Sequence, residues 1–503
     1  MSLNKDRQFI QACHLADQGR FMESLNIFLD LEKNDLQDAT LKLLIATSYF
    51  ELKEYAQAMD TTKKCLELSP NHHQAHHLLG NILRALKSPE DALKAYDEEI
   101  RINPNYPDVL NDKGILFFKL ARDDEALESF EKAIRLDASY ADPLHHKAII
   151  LKRRAQFEEA KILLHKAIQL KKNFYEAFAE LANLHLYLCE FKEGWEFYKS
   201  RFELELRGQK KFASIPPWTN KELKGKTIVL YDEQGIGDQI LYGTILRDAF
   251  LTNNNFIVIT DPRLTTVFKR SFSEVKNTVF LGSDNKVDTS AIDYQLAIGD
   301  LGQLFRTSLN HFIIPDHQYL IADRLRADAY KQKLDAGKIN CGISWKSSRD
   351  TIGSDKSVAL NEWLPILQLE DFHFIDLQYG DTFNERNTIE DEHQIKMTNI
   401  EGLDKFNDIE GLLALIEACD IVITTSNVTA HLAGSLGKQT LLMVPFANAR
   451  GRMWYWHNDM HQSIWYPSIK IFSQDKNEMW APVIKDVCNE LQKLYKIPSL
   501  SRA

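Results

Sequence analysis

Two glycines and an aspartate, placed where an apolar run gives way to a helical one, are the residues of this chain best spaced to do chemistry. In YDEQGIGDQILYG (231–243) the run KTIVLYD (226–232) ends, Gly235 and Gly237 turn the chain, and a helix is expected to start near Asp238. Glycine tolerates a left-handed backbone and leaves room for a ligand against the main chain. The first N–H groups of the helix then face that ligand. The spacing lacks the third glycine of a dinucleotide fingerprint. A plain tight turn with Asp238 as helix cap satisfies the same residues.

A second loop, TTSNVTAHLAG (424–434), offers an anion site. Ser426 or Asn427 caps its helix, whose N–H groups suit a pyrophosphate. Thr429 adds a hydroxyl. His431 either donates from its ring or is a buried helix histidine bonded to backbone. The C-terminal half holds no Asp-x-Asp to bind a metal, so charge neutralisation falls to side chains. Lys346 and Ser347 follow the strand-like NCGIS, and Lys346 is the best-placed cation. Lys356, Arg450 and Arg452 are further candidates, and Gln378 follows FHFID within reach of a base or ribose. In RGRMWYWHNDMHQSIWYPS (450–468), Trp454 and Trp456 either stack on a ligand or pack, while Trp465 and Tyr466 are expected to pack.

The elements that must hold these loops alternate strand and helix. KTIVLYD, FIVITD (256–261), NTVFLGS (277–283) and YQLAIGD (294–300) read as strands, with helical spacing between them. A second block begins near residue 339, with strands at NCGIS, FHFID, DIVITTS (420–426) and QTLLMVPF (439–446). This is the pattern of parallel sheets covered on both faces. Two Rossmann-like halves, 226–335 and 336–476, would place a ligand at strand carboxyl ends in the cleft between them. A helix over 477–503 follows, and the basic, proline-bearing stretch 207–225 reads as a linker.

Residues 1–206 repeat every 34 residues in six helix pairs. Small residues recur at Ala12, Ala46, Gly80, Gly114, Ala148 and Ala182, and again at Ser24, Ala58, Ala92, Ala126, Ala160 and Gly194. A mostly bulky series follows at Phe28, Thr62, Tyr96, Phe130, Leu164 and Tyr198. Small residues let the helices approach, and bulky ones fill the gap. The period and order resemble the tetratricopeptide (TPR) repeat. In its register His77, Asn81, Arg84, Asn111, Ile115, Phe118, His145 and Asn183 face a concave groove suited to an extended peptide. His72, His73, His76 and His77 have metal-like spacing, but no third ligand type accompanies them, and no metal is expected.

The segment E-Q-G-I-G-D-Q-I, with GISWKSS (342–348), DIVITTSNVTAHLAGSLGK (420–438) and WYPSIKIF (465–472), resembles bacterial TPR-linked glycosyltransferases. Their catalytic half is similar to the ADP-heptose–lipopolysaccharide heptosyltransferases and, more distantly, to TPR-bearing O-GlcNAc transferases. The resemblance covers residues about 213 to 497. It implies a GT-B fold, hence an α plus α/β chain: a TPR solenoid followed by two Rossmann-like domains, with 477–503 crossing back. It implies metal-independent transfer of a sugar from a nucleotide-sugar donor, with no further cofactor. Asp238 maps onto the proposed base, with Glu233 in reserve, and Lys356 approximately onto a phosphate-binding lysine. Ser426-Asn427 stands where heptosyltransferases often have Asp-Thr. The family further implies glycosylation of a surface or flagellar protein before export. The alternatives are a non-catalytic scaffold with a degenerate GT-B half, or a transferase acting on a lipid-linked glycan. The repeats alternatively form a homodimer or brace the enzyme.

A net charge of −10 argues against nucleic acid as the main partner. The start MSLNKDRQFI has no apolar signal core, and no run is long enough to span a membrane. The six scattered cysteines form no C-x-x-C, which suits reduced thiols in a cytoplasmic bacterial protein.

Overall fold

A computed structural model describes residues 2–33, 37–204, 211–313, 318–347, 353–446 and 451–496. Twelve helices, from Ser2–Asp17 to Phe191–Tyr198, form the six expected pairs among the described residues. The small and bulky series meet as their spacing requires. A Cβ on Gly114 would lie 2.5 Å from the Phe130 ring, and one on Gly80 would overlap Tyr96.

A third series at the same period marks the turn inside each pair. Gly19, Lys53, Lys87, Ala121, Ala155 and Cys189 all have positive φ, from 57° to 75°. The residue after each donates back five positions, as Arg122 N does to Phe117 O at 2.9 Å. These are Schellman-type caps, where glycine is the unstrained residue. Only the first carries it. Ala121 is exposed, so Ala121→Gly should relieve the strain without loss of packing. The expected gain is about 0.5–1 kcal/mol, read as a higher melting temperature of the repeats.

The chain divides into two compact units: residues 1–150 with 162–172, and residues 151–161 with 173–503. The repeats end near the expected residue 206, and the last of them pack with the α/β unit. The reason is apolar burial. Phe191, Trp195 and Tyr198 of the sixth pair share a core with Ile240, Tyr242 and Ile298. Trp195 Nε1 donates to Arg306 O at 2.7 Å.

The second unit holds two parallel sheets. In the first, β1 (Thr227–Tyr231), β2 (Asn255–Thr260), β3 (Thr278–Gly282) and β4 (Tyr294–Ala297) lie in the order β3-β2-β1-β4. In the second, β5 (Ile339–Ser344), β6 (Phe372–Asp376), β7 (Ile421–Thr425), β8 (Thr440–Val444) and β9 (Ile469–Ser473) lie in the order β6-β5-β7-β8-β9. Every residue of β7 and β8 is buried, as a parallel sheet covered on both faces requires.

Two connections differ from expectation. The described part of the 207–225 stretch is not a free linker: Trp218 N donates to Gln295 O at 2.8 Å and Gln295 N to Pro216 O at 3.0 Å, covering the edge of β4. The helix Trp480–Tyr495 does not cross back: its buried Val483, Ile484, Val487 and Leu491 join the core of the second sheet. Residues 453–465 reach the other way, with Trp454 packed on Trp195 at 5.4 Å and Trp465 on Phe312 at 4.8 Å between ring centres.

Candidate functional site

The strand order of the second sheet reverses between β5 and β7, and ligands in open α/β sheets bind outside the carboxyl ends at such a point. Here one side chain ties the two strand ends together. Asn427 caps the helix Val428–Ser435 through Oδ1, which accepts from Thr429 N at 2.9 Å. Its Nδ2 donates to Ser344 Oγ at 2.8 Å and Lys346 O at 3.2 Å. An aspartate could not make these donations. Of the two expected caps, Asn427 is the one that forms. Ser426 Oγ instead accepts from Trp456 Nε1 at 2.9 Å.

A cleft of about 490 Å³ opens at these strand ends. Gly235, Ile236, Gly237 and Asp238 line one side, with Ser347, Lys356, Ser426, Asn427 and His431 on the other. The two loops nearly touch: a Cβ on Gly237 would sit 3.1 Å from His431 Cδ2. Close approach, not backbone freedom, is what requires glycine there. Neither Gly235 nor Gly237 is left-handed, contrary to the expected turn. That conformation falls on Gln234, at φ 58°. Asp238 Oδ2 accepts from Gly235 N at 3.2 Å across the start of the helix Ile236–Gly243.

His431 is buried and stacked on Trp456. Its Nδ1 lies 3.1 Å from the Tyr466 hydroxyl. Burial pushes the ring pKa down to about 3, helped by the nearby Lys356 charge, so the imidazole is neutral near pH 7. Trp454, Trp456, Trp465 and Tyr466 are all buried, which resolves the two open tryptophans as packing.

Several expected residues lie elsewhere. Glu233 does not line the cleft; both its oxygens accept from Arg201, at 2.6 and 2.7 Å. That geometry removes it as a reserve base. Gln378 is saturated, its Oε1 accepting from Ser344 Oγ, Trp345 N and Lys346 N at 2.9–3.0 Å. It shapes the strand end, its Nε2 donates to Tyr379 O at 3.0 Å, and it is absent from the cleft lining. Lys346 Nζ is held by Glu385 at 2.6 Å, outside the cleft lining. Thr429 is fully buried and does not line the cleft. Arg452 is buried, donating to Trp456 O and His457 O. Arg450 lies outside the described residues.

Arg263, Lys405, Tyr379 and Phe406 also line the cleft and were missed. Arg263 is held by Asp261 at 2.9 Å and donates to Phe406 O at 3.1 Å. Lys405 is buried 3.0 Å from Asp376; burial lowers its pKa, against the pull of that carboxylate. Tyr379 and Phe406 pack at a tilt of 58° with ring centres 6.2 Å apart. No local signal marks them: GLDKFND (402–408) reads as a turn ahead of the helix cap Asp408.

Within the first unit, His77 Nε2, Asn81 Nδ2 and Arg84 Nη1 converge on Asp112 at 2.7, 3.2 and 3.2 Å. Asp112 belongs to the next repeat and was not anticipated. Asn111 Oδ1 lies 3.3 Å from His146 Nδ1, His145 is buried and Phe118 half-buried. Asn183 is half-buried in the second unit. His72 and His73 precede the helix Ala75–Ala85, and among the described residues no group of three His, Cys, Asp or Glu is placed to hold a metal. No described helix is long and apolar enough to cross a membrane.

Comparison with known proteins matches residues 77–143 to a tetratricopeptide repeat family and residues 8–99 to the anaphase-promoting complex, cyclosome, subunit 3 family. The N-terminal part is a TPR solenoid, followed by a region of parallel sheets and helices. Protein FlbA of Caulobacter vibrioides is 29% identical over 330 residues, which are 62% of this chain and 54% of that protein. The chain thus spans about half the length of this curated relative. A thermophilic TPR protein of Thermus thermophilus is similar at 19% identity and TM-score 0.33, over 36% of this chain and 99% of its own. Yeast Tom70 is similar at 24% identity and TM-score 0.35, over 40% of this chain and 43% of its own.

Proposed function

We propose that this protein is a TPR-linked glycosyltransferase of the GT-B kind, moving a sugar from a nucleotide-sugar donor to a hydroxyl of a protein acceptor bound by the repeats. The observation that carries this reading is the facing of two helix-starting loops across one cleft. Asp238 is the only carboxylate among the described cleft-lining residues, which also include Lys356, Arg263 paired with Asp261, and Lys405 paired with Asp376. The helices starting at Ile236, Ile409 and Val428 all put their first residue in the lining. Their N-termini favour an anion. A diphosphate suits that end, and a flat base suits Tyr379 and Phe406. When the Tyr466 hydroxyl donates to His431 Nδ1, the neutral ring carries its proton on Nε2, the nitrogen nearer Gly237.

In the reaction Asp238 takes the acceptor hydroxyl proton as that oxygen attacks the sugar's anomeric carbon. The bond from that carbon to the diphosphate oxygen breaks, and the nucleoside diphosphate leaves with the electron pair. Asp238 also accepts from Gly235 N at the helix start, and its proton transfer runs with C–O bond formation rather than ahead of it. The charge on the leaving diphosphate is met by Lys356 and the Val428 helix.

Calorimetry with UDP, ADP, GDP and CDP tests the site. One of them should bind, and Lys356→Ala should weaken it roughly tenfold, the worth of one charge-assisted contact. Lys346→Ala should change it by less than roughly threefold, because that ammonium sits in a half-exposed pair with Glu385. No binding by any of the four, or a larger loss from Lys346 than from Lys356, would sink the assignment.

A further inference from the structure

The sixth helix pair ends inside the α/β unit, and its last side chains grip the loop that carries Asp238. Arg201, on the turn Lys199–Glu203, is 1% exposed. Its Nε and Nη2 donate to the two oxygens of Glu233 at 2.6 and 2.7 Å, and Nη2 also lies 2.7 Å from Asp300 Oδ1. The guanidinium lies over the rings of Tyr198 and Phe202, at 4.3 and 4.1 Å. Glu233 Oε1 accepts in addition from Gly299 N at 2.9 Å. One residue on, left-handed Gln234 donates from Nε2 to the Tyr198 hydroxyl at 2.9 Å. That hydroxyl shares a 2.6 Å hydrogen bond with Tyr242, on the same helix as Asp238.

Residues 233, 234 and 242 are therefore pinned by the repeat array, and the cleft-lining residues 235–238 lie between the pins. A buried ion pair is a poor way to gain stability alone, since apolar residues of equal volume often do as well. What a bidentate guanidinium–carboxylate pair adds is a fixed orientation. We propose that Arg201 and Tyr198 are positioning residues, and that the last TPR repeat sets the Glu233–Asp238 loop against the cleft. The proposal rests on the functional reading of Asp238 given above. The sixth repeat is thus part of the site and not merely a handle joined to it.

The experiment uses the full chain with two mild variants. Tyr198→Phe keeps the ring and removes the hydroxyl. Arg201→Lys keeps the charge and loses the fork. Amide exchange followed by mass spectrometry should rise roughly tenfold in 233–238 and stay unchanged in 426–431. Affinity for the nucleoside diphosphate that binds wild type should hold within roughly threefold, while turnover falls and the donor KM stays level. Unchanged exchange in 233–238 would overturn the proposal. So would exchange rising across the whole second unit together with a lower melting temperature, since that marks a purely structural role. Fast exchange confined to 233–238, in a protein whose wild type turns over no sugar nucleotide, would uphold the positioning and refute the enzymatic reading.

Discussion

A chain starting at residue 207 should fail to fold, and one starting at residue 139 should keep the α/β unit and its cleft. The first cut removes Phe191, Trp195, Tyr198 and Arg201, all at most 3% exposed. Deleting a buried aromatic side chain costs about 3–5 kcal/mol. Glu233 and Asp300 would also lose their shared guanidinium, and breaking a buried pair costs about 3–5 kcal/mol more. Even with strong non-additivity the sum reaches the whole stability of a typical domain, about 5–15 kcal/mol. The cut at 139 keeps residues 151–161, where Phe157 packs on Tyr187 and Lys161 pairs with Glu190 at 2.8 Å. Far-UV circular dichroism melts and nucleoside-diphosphate binding read the outcome. A 207–503 chain that melts cooperatively within a few degrees of the full protein would show that the sixth pair is dispensable.

What the sequence made legible, and what it hid, follows the range of the interactions. The repeats were readable because small and mostly bulky residues recur sixteen positions apart at a fixed period, and Gly80 meets Tyr96 and Gly114 meets Phe130. The strands were readable because their runs are mostly apolar, above all in β7 and β8, where every residue is buried. The position of the two motif loops was also readable, since strand ends and helix starts place them. The partners of their polar side chains were not. Gln378 looked free to meet a ligand, yet its carbonyl is used up by Ser344, Trp345 and Lys346, over thirty positions earlier. Glu233 looked like a spare base because Arg201 seemed to belong to another domain. Gly237 was assigned to the turn for its backbone freedom, while the residue that crowds it, His431, is nearly two hundred positions away. Lys405 and Phe406 were passed over because nothing local marks GLDKFND as a cleft wall. Only the folding of the second sheet brings it beside Lys356.

Replacing Asp238 by asparagine should lower sugar transfer by roughly 10² to 10⁴ while leaving the fold and nucleotide binding in place. The substitution keeps the shape, and the amide oxygen can still accept from Gly235 N, the bond now made at 3.2 Å by Oδ2. What it removes is the capacity to take a proton. Asp238→Ala is the control for the bond from Gly235 N: losing this N3 acceptor should cost about 0.5–1 kcal/mol of stability as well as activity. Release of nucleoside diphosphate from a saturating donor, with acceptor present, gives the rate. The loss should fall on turnover and not on donor KM, because the carboxylate acts only as the acceptor proton leaves. Near-normal turnover in Asp238→Asn would remove the need for a side-chain base at this position. Glu233 could not inherit the role, because both its oxygens are bonded to Arg201 and it does not reach the cleft. The departing proton would then have to pass to the donor's own phosphate oxygen, and the cleft would act by holding the leaving diphosphate at Lys356 and the Val428 helix.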